Sequence, residues 1–284
     1  MEERSKKINA KKLVPLVIAL LIVASYSGTA KADSFAPTWL KEGVYAEYSG
    51  FNHGDIVVPN STDPSNPEWR GFVDGTFKWE CLELNETTAK LRSTLTVTET
   101  EFNTHPLPEN KTVQYKSEFF VDTRTRAVYL LNGSIVGTTI LWVPANPSTN
   151  EDILMWDVPP DKVAIESSVS DKAPNVRTPQ GLQRAFDVQG QGKIGGLNVM
   201  FSAAFDFDTG VLCFGHMDIE PTITSVFGFE KFNYGGSMQF VDTNIDLGPG
   251  GESFDLQVAG ILIALTVAIV IIFVAVYKRK RVRR

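Results

Sequence analysis

Thr88-Ala-Lys-Leu-Arg-Ser-Thr-Leu-Thr-Val-Thr98 is the stretch on which the fold turns. Ala89, Leu91, Leu95 and Val97 alternate with Lys90, Arg92, Thr94, Thr96 and Thr98. Successive side chains of a strand point to opposite faces, so this segment puts one face in a core and the other in water. The same period recurs on both sides. Upstream, Phe77, Trp79 and Cys81 share a face opposite Lys78 and Glu80, and Asn85-Glu-Thr-Thr88 supplies the turn. Downstream, Val113, Tyr115, Phe119 and Val121 align within 112–121, and Asp122-Thr-Arg-Thr125 turns the chain into 126–131. Asn132-Gly133 marks a hairpin, because both residues tolerate positive φ.

Further strand signals cover 43–49, 135–143, 162–169, 182–188, 197–207, 211–220 and 238–245. The proline-rich stretch 144–161 interrupts them, and Ser148-Thr-Asn-Glu151 predicts a capped short helix through Trp156. Pro59 to Pro67 reads as a loop. The expected fold is mainly β: a large curved antiparallel sheet or sandwich over residues 33–247.

The ends read differently. Residues 1–32 combine a basic leader, an apolar run from Leu13 to Ala24, and Ala30-Lys-Ala32, the pattern of a cleaved signal peptide. Gly248-Pro-Gly-Gly251 opens a stalk over 248–257. Val258 to Tyr277 is an uncharged apolar run followed by Lys278, Arg279, Lys280, Arg281, Arg283 and Arg284. A helix of about 20 residues spans a bilayer core, and the basic tail 278–284 stays cytoplasmic under the positive-inside rule. The expected protein is a single-pass plasma-membrane protein with its β domain outside the cell, in contact with membrane lipid through the terminal helix.

Between these ends the charge balance is near −16, because 31 acidic residues face 15 Lys and Arg. That argues against a nucleic-acid partner, which wants a basic patch. Four glycosylation sequons, at Asn60, Asn85, Asn110 and Asn132, fall in predicted turns or loops; Pro147 disqualifies Asn146. Cys81 and Cys213 are the only cysteines, both in predicted strands. In an oxidising compartment they suggest a disulfide, and closing so long a loop would contribute roughly 5 kcal/mol at most. The alternative is two buried thiols that never meet.

Trp39, Gly43-x-Tyr45-x-x-Tyr48, the Phe/Trp strand, the Asp208-Thr-Gly210 hairpin, Thr243-Asn-Ile245 and the terminal apolar helix together resemble a loose group of archaeal membrane-anchored surface proteins. That resemblance implies an anchored β ectodomain in an envelope of that type, and it brings no activity. Long meandering strands with little helix also resemble the curved half-barrel of bacterial lipoprotein carriers, here without the helices that cover it.

Three patterns bear on chemistry. His216, Asp218 and Glu220 alternate along the predicted 211–220 strand, so all three would emerge on one face, where they could hold a divalent cation or perform acid–base work, with His53 and Asp55 to complete the set; the alternative is a solvated strand face of an acidic domain. Asp208-Thr209-Gly210 is the tripeptide of aspartic peptidases, but those need two facing aspartates and this chain has one such tripeptide; a hairpin turn is favoured. Phe120-Val-Asp-Thr and Phe205-Asp-Phe-Asp-Thr put similar Asp-Thr turns between strands. No nucleophile triad, phosphate loop or dinucleotide fingerprint is present, and no cofactor is expected. The expected function is a non-catalytic ectodomain that binds or assembles with envelope proteins or with itself. The alternatives are a carrier or sensor of an apolar ligand in the curved sheet, or a hydrolase using His216 or Asp208.

Overall fold

A computed structural model describes residues 36–158, 161–168, 175–194, 197–216 and 220–248. The signal peptide expected at 1–32, the stalk expected over 248–257 beyond Gly248, the helix expected at 258–277, the tail 278–284 and Asp218 lie outside the described residues. The fold is one large antiparallel curved sheet with almost no helix. Its strands are β1 (Tyr45–Ser49), β2 (Asn52–Val58), β3 (Glu68–Leu84), β4 (Thr88–Phe102), β5 (His105–Asp122), β6 (Ala127–Leu130), β7 (Ile135–Thr138), β8 (Asp152–Val158), β9 (Asp161–Ser168), β10 (Asn175–Thr178), β11 (Gly181–Ile194), β12 (Leu197–Asp206), β13 (Leu212–Gly215), β14 (Lys231–Gly235) and β15 (Met238–Thr243). The main path runs β7-β6-β5-β4-β3-β1-β15-β13-β12-β11-β9-β8, while β2 bridges β3 to β14 and β10 lies against β11.

The quoted stretch behaves as its pattern requires. Along β4, every second residue from Ala89 to Glu99 is buried and the intervening ones face solvent. β3 and β5 flank β4 in near-continuous register. At about 3.4 Å per residue, the 15 residues of β4 make a ribbon about 50 Å long.

The segment 148–156 departs from expectation. The cap forms, since Ser148 N–H donates to Glu151 Oε2 (2.7 Å) and Glu151 N–H to Ser148 O (3.1 Å). No helix follows it. Asp152–Val158 is β8 instead, paired with β9. Ile153, Met155 and Trp156 bury there, and an available strand partner outweighs a local cap. The strand expected over 211–220 ends at Gly215, and β2, β10 and β14 are additional to the expected set.

The inner face of the sheet is filled by the chain itself. Ile140, Leu141, Trp142 and Val143 are fully buried in a segment outside the ladder. Trp142 packs against Trp39 and Trp79 with ring centroids 6.0 and 6.1 Å away. A second segment, 220–229, crosses β5: Ser117 Oγ donates to Val226 O (2.5 Å), and Tyr115 meets Phe229 edge-on at 5.0 Å. The side chains of Ile223, Val226 and Phe229 are buried. These two irregular segments pack against the buried side of the sheet.

The two terminal strands of the path approach one another. Thr138 Oγ1, at the end of β7, donates to Met155 O (3.5 Å) and accepts from Asp157 N–H (2.8 Å) on β8. A side chain therefore seals part of an edge that would otherwise expose strand backbone.

Candidate functional site

Of the expected cation site, Asp218 lies outside the described residues, and His216 and Glu220 have different surroundings. β13 stops at Gly215, so the alternation that would carry His216 and Glu220 onto one face is broken. His216 stays partly exposed, its ring 4.6 Å from Tyr234 and its Nδ1 2.9 Å from Gly236 O. Glu220 turns inward and is fully buried. Asp55 on β2 is engaged by Lys231 Nζ (2.9 Å) and Asn233 Nδ2 (3.2 Å). No group of three potential ligands occurs among the described residues.

Cys81 and Cys213 are free, buried thiols. Two strands, β1 and β15, separate β3 from β13, and neighbouring strands lie about 4.8 Å apart, which leaves the sulfurs out of bonding reach. Burial pushes Cys81 up to about 11 and Cys213 higher still. A thiol whose folded pKa is raised holds its proton on folding. Its contribution is therefore intact below the unfolded value near 8.5 and is lost as pH rises from there toward the folded value. We expect native protein to resist maleimide at neutral pH, to gain two labelled thiols on denaturation, and to lose stability above about pH 8.5 less steeply in Cys213→Ala. Fast labelling of native protein, or an intact mass two hydrogens low, would contradict this.

Asp208-Thr209-Gly210 is a turn. The capping carboxylate is that of Asp206: Thr209 N–H and Oγ1–H donate to Asp206 Oδ1 (2.8 and 2.6 Å), and Gly210 N–H to Asp206 O (2.8 Å). Burial raises the Asp206 pKa against these bonds. Asp208 faces outward to Arg184, 3.1 Å away. The Asp122 turn repeats the geometry: Thr125 N–H and Oγ1–H donate to Asp122 Oδ1 (2.7 and 3.0 Å), and Arg126 N–H to Asp122 O (2.8 Å). The equivalent residues are thus Asp122 and Asp206, Thr125 and Thr209, Arg126 and Gly210. In both turns the last residue has positive φ, 63° and 72°.

The two turns hold the ends of the same covering segment. Thr139 N–H donates to Arg126 O, and Val143 N–H to Gly210 O, each at 2.9 Å. Buried charges hold its middle. Glu220 Oε2 accepts from Ile140 N–H (3.0 Å), and Oε1 accepts from Thr222 Oγ1–H (2.8 Å) and Thr222 N–H (3.3 Å). One carboxylate thereby joins the first covering segment to the second. Arg126, also buried, donates through its guanidinium to Thr139 O (2.9 Å), Trp142 O (3.4 Å) and Leu154 O on β8. Desolvation pulls Arg126 down to about 10, partly opposed by the Glu220 charge, and pushes the Glu220 carboxyl up. This clasp escaped sequence reading because Arg126 reads as the first residue of a strand and Glu220 as an acid on a strand face. The signal within reach was the Asp-x-x-Thr repeat, which puts Arg126 where the second turn has glycine.

A second polar cluster sits toward the far end of the β3–β4–β5 ribbon. Buried Glu99 accepts from Tyr115 Oη–H (2.7 Å) and Arg70 Nη1 (3.3 Å); Arg70 also reaches Glu68 (2.8 Å) and lies 5.6 Å over Phe102. Clefts in the described body open to solvent. One of about 300 Å³ lies between Ser49–Asn52, Asp74–Thr76 and Thr96–Thr98, and one of about 470 Å³ between β10 and the outer face at Phe214 and Val241. No protein-family model matches the chain, and no curated protein matches it.

Proposed function

We propose that this chain is a non-catalytic surface protein whose β body is held outside the cell by the 258–277 helix and meets envelope components or its own copies through its far end. The observation that carries this reading is the polarity of the sheet. Because every paired strand is antiparallel, the start of β1, the end of β15 and the turns at 85–87, 123–126 and 207–210 share one end. The described chain starts at Ala36 and leaves at Gly248 on that end. The β4–β5 tip at Asn103-Thr104 and the loop 59–67 lie at the opposite end, about 50 Å away. A body tethered on one side presents the other.

The carrier alternative needs an apolar cavity, and the place for it is taken by Trp142, Ile223, Val226 and Phe229. The hydrolase alternative named His216 and Asp208, and each is engaged separately, Asp208 with Arg184 (3.1 Å) and His216 Nδ1 against Gly236 O (2.9 Å).

A photo-crosslinking residue at Thr104 or at Glu86, in full-length protein in its native cells, tests the reading. We expect adducts to envelope proteins or a second copy from position 104 and few from 86. Adducts from 86 alone, or from neither, would remove the far end as a contact surface. Protease added to intact cells tests placement separately, and should digest the body while sparing an epitope after Arg284.

A further inference from the structure

We infer that Asn60 and Asn132 are the glycan acceptors of this chain, and that Asn85 and Asn110 are not. The inference rests on the extracellular reading for its biology, but the selection among the four sites comes from backbone geometry.

A transferase reads an asparagine together with the hydroxyl residue two positions on. In an extended strand those side chains stand roughly 7 Å apart and the backbone between them is held in the ladder. A side-chain turn at the asparagine brings the two residues together on a bent segment. Asn60 has that form: its Oδ1 accepts from Thr62 N–H (2.9 Å), Thr62 Oγ1–H (2.7 Å) and Asp63 N–H (3.3 Å). It opens a loop in which residues 61–66 are all exposed. Asn132 has the same turn, with Oδ1 accepting from Ser134 N–H (3.0 Å), at the exposed 131–135 tip of the β6–β7 hairpin, where Leu130 N–H also donates to Ser134 O (2.9 Å). In both, the oxygen branch of the amide is engaged locally and the reacting atom is the other branch, Nδ2.

The remaining sequons are exposed but held. Asn85 Oδ1 accepts from Thr88 N–H (3.0 Å) rather than from Thr87, and Asn85 N–H donates to Thr88 O (3.0 Å), closing the β3–β4 hairpin. Thr87, the hydroxyl residue of that sequon, is tied through its carbonyl to Thr123 N–H (2.8 Å) and Thr123 Oγ1–H (3.1 Å). Asn110 lies within β5 in the 107–110 stretch that the bulge opposite Glu99–Glu101 leaves without ladder partners; pairing resumes at Lys111 with Glu99 and Thr112 with Thr98, and no side-chain turn forms at Asn110. At neither site does the asparagine turn onto its own hydroxyl residue, and that turn is what sets Asn60 and Asn132 apart.

The donor is a glycan joined through C1 to a polyprenyl phosphate or diphosphate. Nδ2 attacks C1, the C1–O bond breaks with its electron pair leaving on the phosphate oxygen, and the displaced amide proton passes to a base of the transferase. No redox partner is needed.

The test uses purified full-length protein, a single-subunit oligosaccharyltransferase and a polyprenyl-linked glycan, with occupancy read by glycopeptide mass spectrometry. Folded protein should be modified at Asn60 and Asn132 about tenfold more than at Asn85 and Asn110, a difference equivalent to roughly 1.4 kcal/mol. Denatured protein should lose that preference. Equal or greater occupancy at Asn85 or Asn110 in folded protein, no transfer to any site, or the same preference after denaturation would each overturn the inference. Glycopeptides from native membranes report on placement independently: sites that accept a glycan in the tube and never in the cell would fault the extracellular reading and leave the geometry standing.

Discussion

Glu220→Ala should lower stability by about 3–5 kcal/mol, the usual cost of removing one member of a buried charged set. The loss has two parts. Ile140 N–H and Thr222 lose their acceptor inside the core, and the Arg126 guanidinium keeps a buried charge that Glu220 no longer offsets. For a body of this size each kcal/mol moves Tm by roughly 2–4 °C, so a fall of about 10 °C is expected in a thermal melt. Arg126→Met combined with Glu220→Ala should cost less than the two single changes summed, because the uncompensated charge is gone. Strict additivity would mean that the two charges act independently and that the clasp is misread. The pH dependence has a definite sign. A carboxyl whose folded pKa is raised binds its proton more tightly in the folded state, so this group favours folding most in acid. The advantage declines as pH rises through the ordinary carboxylate range toward the raised value. Glu220→Ala should remove that component of the pH profile.

Gly210→Val should be at least as damaging, about 3 kcal/mol or more, because two independent penalties coincide. The residue sits at φ 72°, where a β-branched side chain is strained. A Cβ there would also lie 2.0 Å from Val143 O and 3.2 Å from Ala145 N, both backbone atoms that cannot swing aside. Relief would break the Val143 N–H to Gly210 O bond that ends the covering segment. We therefore expect Trp142, which precedes Val143 and packs on Trp39 and Trp79, to lose its order, seen as a collapsed near-ultraviolet dichroism signal. Arg126→Gly at the equivalent turn would relieve positive φ and yet destabilise, since the guanidinium contacts go with it. A native melt for Gly210→Val would show that the turn is not the fixed point described here.

Alternation was enough to find the ribbon. Ala89, Leu91, Leu95 and Val97 bury as their spacing requires, and Asn132-Gly133 makes its hairpin with Gly133 at φ 84°. Short segments were harder. β14 (Lys-Phe-Asn-Tyr-Gly) alternates, with Phe232 and Tyr234 buried, but five residues carry too little pattern to stand out from a loop. The cap at Ser148 formed, yet the residues after it joined a strand partner that lies close in space only once the sheet has folded. The Asp-Thr tripeptide was recognised as a turn, but the capping aspartate proved to be the one two residues earlier, Asp206.

The order of polar and apolar residues alone determined that this chain builds an antiparallel sheet with a dry face and a wet face, because side-chain direction in a strand depends only on position parity. It also set the acidic balance and the places where turns fall. Tertiary structure decided what lies on the dry face. Whether that hollow is empty or filled depends on two irregular segments, 139–143 and 220–229, whose backbone groups are satisfied by Arg126, Glu220 and two turns far away in sequence. Such bonds leave no local periodicity. The same reason separates Cys81 from Cys213 and Glu220 from His216: pairing across a sheet is a relation between strands, and no single strand carries it.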